Sequence, residues 1–219
     1  MAASARITES LTDRLRLVLL LDACEAADLA PVPVMRLHAL AFLANVLAPI
    51  WSVRSYDGKI LKRRGGPFYP ELQKQLDRLV GLGFVVVEHV KQVNDEGRWR
   101  LDGSFALNTS ATKYIIERAR AFSAERDATE FLRRLAFATC RLGQPIEKLV
   151  MFDATWAEQR TGVGDVIDFS EWKAANYSAF AAQMFQKVAP RGPSLGRGDK
   201  LPLYLRYLEL KANGKTQIN

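Results

Sequence analysis

The sequence predicts a mainly α protein with a small β-hairpin: a winged-helix-like domain over residues 1–108, then a helical domain over 109–219. Three observations predict it. Three runs with helical apolar spacing precede two β-rich runs, which gives the order helix, helix, helix, hairpin. The polar stretch Asn94-Asp95-Glu96-Gly97 separates the β-rich runs "FVVVEHVKQV" and "RWRLDGSFALN", a hairpin signal. After Asn108 the chain turns helical.

Each element has its own reason. Ser10, Thr12 and Asp13 are capping candidates for the first helix. Its run from Leu15 to Leu21 leaves little polar face, so it is expected to be buried on more than one side. Pro31 and Pro33 break the chain before the second helix, "VMRLHALAFLANVLAPIW". There Leu37, Leu40, Ala41, Ala44 and Leu47 form a stripe, and Pro49 is expected to end it. "SVRSYDGKILKRRGGP" reads as a variable segment with turns at Asp57-Gly58 and Gly65-Gly66. Pro67 and Pro70 precede a third helix with Leu72, Leu76, Leu79 and Val80 on one face, closed by Gly81 and Gly83. Asn108-Thr109-Ser110 caps the helix that follows the hairpin.

The second half continues in helices. Phe131, Leu135, Ala138 and Leu142 share a face that ends at Gly143. "IEKLVMFDATWAEQ" supplies Leu149, Phe152 and Trp156. The next run starts at Ser170 and Glu171 and is expected to bury Trp172, Phe180, Met184 and Val188. "RGPSLGRGD" reads as a flexible basic loop, and a short amphipathic helix with a polar tail closes the chain.

Composition bounds the function. The chain has 219 residues, 48% hydrophobic and 25% charged, enough to bury a core. Its 31 basic and 24 acidic residues lean toward an acidic partner but fall far short of a chain living on nucleic acid. Cys24 and Cys140 sit in apolar helical patterns and are expected as small core residues in a reduced, cytoplasmic setting. No secretory signal is visible, and no stretch approaches the roughly 20 apolar residues of a membrane-spanning helix.

Catalytic signals are lacking. His38 and His89 belong to no metal-ligand spacing, and His38, among Leu and Ala, is expected to be a satisfied, partly buried residue. "GVGD", "GRGD" and "ANGKT" each lack the remaining glycines of a phosphate or dinucleotide loop. No acid pair is placed for proton transfer. The expectation is a non-enzyme with no catalytic residue, cofactor or metal.

Charged and aromatic positions give the candidate contacts. Between Arg54 and Arg64 five cations face Asp57 alone, and the Lys62-Arg63-Arg64 run suits either backbone phosphates or a solvated turn. The third helix is expected to expose Gln73, Lys74, Gln75, Asp77 and Arg78, where Asp77 opposes phosphate. The candidate DNA-backbone set is therefore Lys59, Lys62, Arg63, Arg64, Lys74 and Arg78. At the hairpin tip Lys91, Arg98 and Arg100 balance Asp95, Glu96 and Asp102, a neutral wing that suits protein docking at least as well as DNA. From Lys187 onward seven cations stand against Asp199 and Glu209, while Leu201, Tyr204, Leu205 and Leu208 have the spacing of a packed helix. The candidate docking aromatics are Trp51, Tyr56, Tyr69, Trp99, Tyr204 and Tyr207.

Residues Leu19 to Val87 resemble a small accessory subunit of bacterial SMC-type defence systems, the third subunit of Lamassu systems and the related middle components of ABC-three-component systems. The likeness is carried by Leu20-Leu21-Asp22-Ala23, the Pro31-Val32-Pro33 break, Arg36-Leu37-His38 with Leu40 to Asn45, and Tyr69-Pro70-Glu71-Leu72. It implies a non-enzymatic subunit bridging an SMC-type coiled-coil ATPase and an effector, commonly a nuclease. Non-specific contact with double-stranded DNA would come through the complex. The alternative reading is a winged-helix transcriptional regulator with a helical dimerisation domain.

Overall fold

The first helix outruns its capping signals: α1 spans Ala2–Ala26, so Ser10, Thr12 and Asp13 lie within it rather than at its start. The computed structural model describes residues 2–54, 59–63, 65–95, 98–157, 162–168, 176–188 and 194–216. Leu17 through Leu21 are all buried, as their unbroken apolar run requires. A two-residue strand, β1 (Val32–Pro33), leads into α2 (Val34–Trp51). Pro49 does not stop α2, which continues to Trp51 and ends at Ser52 in the left-handed region, φ 55°. Proline has no amide for the carbonyl one turn back, which loosens the helix there. Asn176 Nδ2 donates to the neighbouring carbonyl, that of Val46, at 2.7 Å.

The segment read as variable holds two strands, β2 (Lys59–Arg63) and β3 (Gly66–Phe68), paired antiparallel. Next come α3 (Pro70–Gly81), β4 (Val85–Asp95) and β5 (Arg98–Leu107). Pro70 is the first residue of α3, and Leu72, Leu76 and Leu79 are its buried face. The order across the first sheet is β1–β5–β4. The caps of α4 (Thr109–Ala121) follow expectation, with Asn108 Oδ1 accepting from the Ala111 amide. Then α5 (Ser123–Cys140) buries Phe131, Leu135 and Ala138.

The remaining chain departs further from its pattern. The helix α6 (Ile146–Leu149) and a 3-10 turn over Val150–Phe152 are short. The strand β6 (Val166–Asp168) pairs with β2, making the second sheet β3–β2–β6. Asn176 caps α7 (Tyr177–Val188) by accepting from the Ala179 amide at 2.9 Å. The expected cap at Ser170 and Glu171, and Trp172, lie outside the described residues. Phe180, expected in the core, is 58% exposed. Finally α8 (Arg197–Thr216) takes in the end of the basic loop and buries Leu201, Tyr204, Leu205 and Leu208.

The protein is mainly helical with small sheets. One apolar cluster runs from Leu17 to Ala212, so the expected boundary at residue 108 falls inside a shared core, with β6 of the second half completing a sheet of the first. At its centre, α2 has a mean hydropathy of 1.5 and is long and apolar enough to cross a membrane, which corrects the expectation that no stretch is. It is 72% buried within the fold, the position of a core helix. Cys24 is buried, and burial pushes its thiol up to about 12. Cys140, expected in the core, is exposed with its thiol donating to the Phe137 carbonyl.

Phe42, on α2, meets the edge of the Trp156 ring at 5.7 Å and is fully buried. Phe42→Ala is expected to cost about 3–5 kcal/mol in chemical denaturation. Phe180→Ala should cost less than about 0.5 kcal/mol. Equal losses at both positions would contradict this placement of the core.

Candidate functional site

His38 organises the turn into α3. Its Nδ1 accepts from the Tyr69 amide at 3.2 Å, which leaves the proton on Nε2 to be donated to Gln73 Oε1 at 3.2 Å. Asn45 Nδ2 donates to the Tyr69 hydroxyl at 3.1 Å, so Tyr69 is held to α2 at both ends. The imidazole is fully buried and packs on Phe68 and Tyr69. Burial lowers its pKa to about 4; the Gln73 bond acts against this and the charge of Arg63 adds to it. The satisfied-histidine reading holds, with burial complete rather than partial.

The basic candidates divide. Lys62 turns inward, donating to the Trp156 carbonyl at 2.7 Å and lying over its ring, so it is withdrawn from the DNA set. Arg63 is exposed, its guanidinium 3.7 Å from the centre of the Phe68 ring. Lys59 is exposed at the start of β2, and Arg64 lies outside the described residues. On α3, Lys74 is 3.5 Å from Glu71, and Arg78 and Asp77 are both exposed. Gln73 is held by His38 and donates to Asp77 Oδ1 at 2.9 Å. Gln75, expected at the surface, is buried with its amide on Glu71. Two acids and two cations share this helix face, and its glutamines are already engaged.

The aromatic candidates divide more sharply. Trp51, Tyr69 and Tyr204 are buried and cannot dock a partner without unfolding, which removes them from that set. The Trp51 ring lies against Phe131 and under the Arg197 guanidinium, and its Nε1 donates to the Arg197 carbonyl at 3.2 Å. Tyr207 is half-buried against Phe185, and Tyr56 lies outside the described residues. Trp99 is 69% exposed. It sits on the hairpin face that carries Val87 and Val90: a Cβ at Gly103 would come within 3.0 Å of Val87 Cγ1 and 3.8 Å of Val90 Cγ2, and alternation places Trp99 on that side. Val87 and Val90 are exposed as well. A register shift between Glu88 and Lys91, with His89 at φ 52°, bends the ribbon there. Lys91 stands opposite Asp102 and Asp95 opposite Arg98.

A buried hub went unforeseen. Asp153, fully buried, accepts from the amides of Thr155 (2.9 Å) and Trp156 (3.0 Å), from Ser178 Oγ (2.8 Å) and from the Tyr204 hydroxyl (2.6 Å). It joins the turn after the 3-10 segment to α7 and α8. Burial raises its carboxyl above the usual range, and the four donors oppose that. The local Asp-x-Thr-Trp turn was a readable signal; Ser178 and Tyr204, 25 and 51 residues away, gave none. Among the described residues no three His, Cys, Asp or Glu side chains are arranged to hold a metal.

Two open clefts lie among the described residues. One, about 300 Å³, is lined by Arg36, Cys140, Gly143 and Gln144, whose polar groups are taken by Glu147, Phe137, Glu209 and Asn213. The other, about 290 Å³, lies between α1 and α4 and is lined by Asp22, Glu25, Ile116, Glu117 and Arg120. No protein-family model and no curated protein sequence matches the chain.

Two predictions follow from the buried polar groups. The native imidazole of His38 binds a proton only near pH 4, whereas that of the unfolded chain does so near 6.5. Its stabilising share is therefore complete above 6.5 and lost as pH falls toward 4, amounting to about 3 kcal/mol. Asp153 works with the opposite sign, so the test is the difference between His38→Gln and wild type: denaturation midpoints should converge from pH 7 to pH 4.5, and parallel curves would refute it. Tyr204→Phe strips one donor from the Asp153 carboxylate and should cost about 1–3 kcal/mol, and less in an Asp153→Asn background.

Proposed function

We propose that the chain is a non-catalytic docking subunit built on a winged helix. The observation that carries this is the exposed hairpin face on which Val87, Val90 and Trp99 stand, with Gln92 and Asn94 on the same side, large apolar groups surplus to the core. Such a face gains by being covered, and exposed aromatic groups are favoured anchors in protein interfaces. The strand order β1–β5–β4, with α1, α2 and α3 preceding the hairpin, supports the winged-helix reading. The likeness of Leu19 to Val87 supplies the assembly: a cytoplasmic anti-phage or anti-plasmid complex in which this subunit bridges an SMC-type coiled-coil ATPase and an effector nuclease. Among the described residues Lys59, Arg63, Lys74 and Arg78 are the exposed candidates to touch a DNA backbone in that complex, and Arg64 stays in the set.

The regulator reading draws less support. Lys74 lies beside Glu71, Gln73 is tied to His38, and Asp77 stands on the same helix. Co-expression of the full chain with an SMC-type ATPase should yield a stable complex. Val90→Ser with Trp99→Ala should weaken it about tenfold or more, with the thermal midpoint within a few degrees of wild type. A chain that ignores the ATPase, and shifts a promoter fragment through Lys74 and Arg78, would replace the docking reading with the regulator.

A further inference from the structure

The bonds that start at His38 do not end inside the core. Gln73 Oε1 accepts from His38 Nε2 at 3.2 Å, and Gln73 Nε2 donates to Asp77 Oδ1 at 2.9 Å. The imidazole is fully buried and the carboxylate is exposed, so one relay runs from α2 to the outer face of α3. Gln73 and Asp77 are one helical turn apart, which gives the second bond its reach. A surface aspartate without such a hold turns among its rotamers, whereas Asp77 is kept in one place.

That place lies among the cations available to a DNA backbone. On α3, Lys74 stands three residues before Asp77 and Arg78 one after, and all three are exposed. Arg63 stands beside the buried end of the relay. Its guanidinium covers the Phe68 ring, whose centre is 4.7 Å from that of His38, and its charge acts on the imidazole. Lys59 is exposed farther along β2, and Arg64 lies outside the described residues. The charged residues of α3 are Glu71, Lys74, Asp77 and Arg78, so the helix itself is neutral. Glu71 is met by Lys74 at 3.5 Å, but no described cation is in ion-pair contact with Asp77. A phosphate brought to Lys74 or Arg78 therefore meets a fixed negative charge between them.

We propose that Asp77, held by His38 through Gln73, keeps α3 off duplex DNA in the free chain. Asp77 repels the phosphates; Gln73 and His38 are positioning residues that hold its carboxylate where it does so. The inference rests on the proposed backbone contact of Lys59, Arg63, Lys74 and Arg78, and adds that the chain alone withholds it.

The probe is a duplex of about 20 base pairs and arbitrary sequence, titrated with the full chain by fluorescence anisotropy over a salt series. Wild type is expected to bind weakly. Asp77→Asn removes the charge but keeps an oxygen to accept from Gln73. Its affinity should be about tenfold higher, with a salt dependence steeper by about one unit in the log–log slope. Lys74→Ala with Arg78→Ala should cancel that gain. Gln73→Met lets the carboxylate swing away and should give a smaller gain, with none added in the Asp77→Asn background. Wild type as tight as Asp77→Asn, or a gain that survives the loss of Lys74 and Arg78, would overturn the proposal. So would equal gains from Gln73→Met in both backgrounds. All of these titrations use the chain alone, so failure to co-purify with the ATPase sinks the docking reading and leaves Asp77 to its own test.

Discussion

A helix with no polar side cannot lie on a surface, and α2 is such a helix. From Leu37 to Ala48 every residue is buried, including His38 and Asn45. Burial of that kind requires neighbours in all directions. Around α2 stand β1, β3 and β5, then α5, α6, α7 and α8, elements drawn from both halves of the chain. These elements lie on both sides of residue 108. Burial also dictates the chemistry of the two polar side chains α2 carries into the core. His38 has to be neutral and doubly bonded, and Asn45 has to find the Tyr69 hydroxyl, because an unsatisfied polar group there would cost more than its partner supplies.

The local signals were legible where short-range physics decides. Asn108 capped its helix, Pro70 opened α3, and the hairpin around Asn94 formed where its turn residues indicated. What escaped depends on distance. The strand β2 is five residues long and is made a strand by β3 and by Ile167, 107 residues from its partner Ile60. No window of sequence contains that pairing. Pro49 misled because a proline loosens a helix rather than always ending it, and Asn176, far along the chain, serves the carbonyl beside the break. Phe180 misled because helical spacing marks a stripe without saying whether anything covers it.

The candidate site was legible by residue type more than by residue. Aromatic and basic side chains were the right classes, but Trp51, Tyr69, Tyr204 and Lys62 are spent on the fold. Their large rings and long chains make them good packing material, and the same property made them look like contact residues. What stays outside is the hairpin face at Trp99 and the stripe led by Phe180, two surfaces on different elements.

The union of β2 with β6 bears on how the molecule comes into being. Synthesis delivers Lys59–Arg63 about a hundred residues before Val166–Asp168. During that interval α2 is out of the ribosome while α7 and α8, two of its walls, are not yet made. The nascent polypeptide thus carries an oily rod awaiting its enclosure, the kind of segment that holdase chaperones grip. Its enclosure waits on α7 and α8, which follow it in the chain by more than a hundred residues.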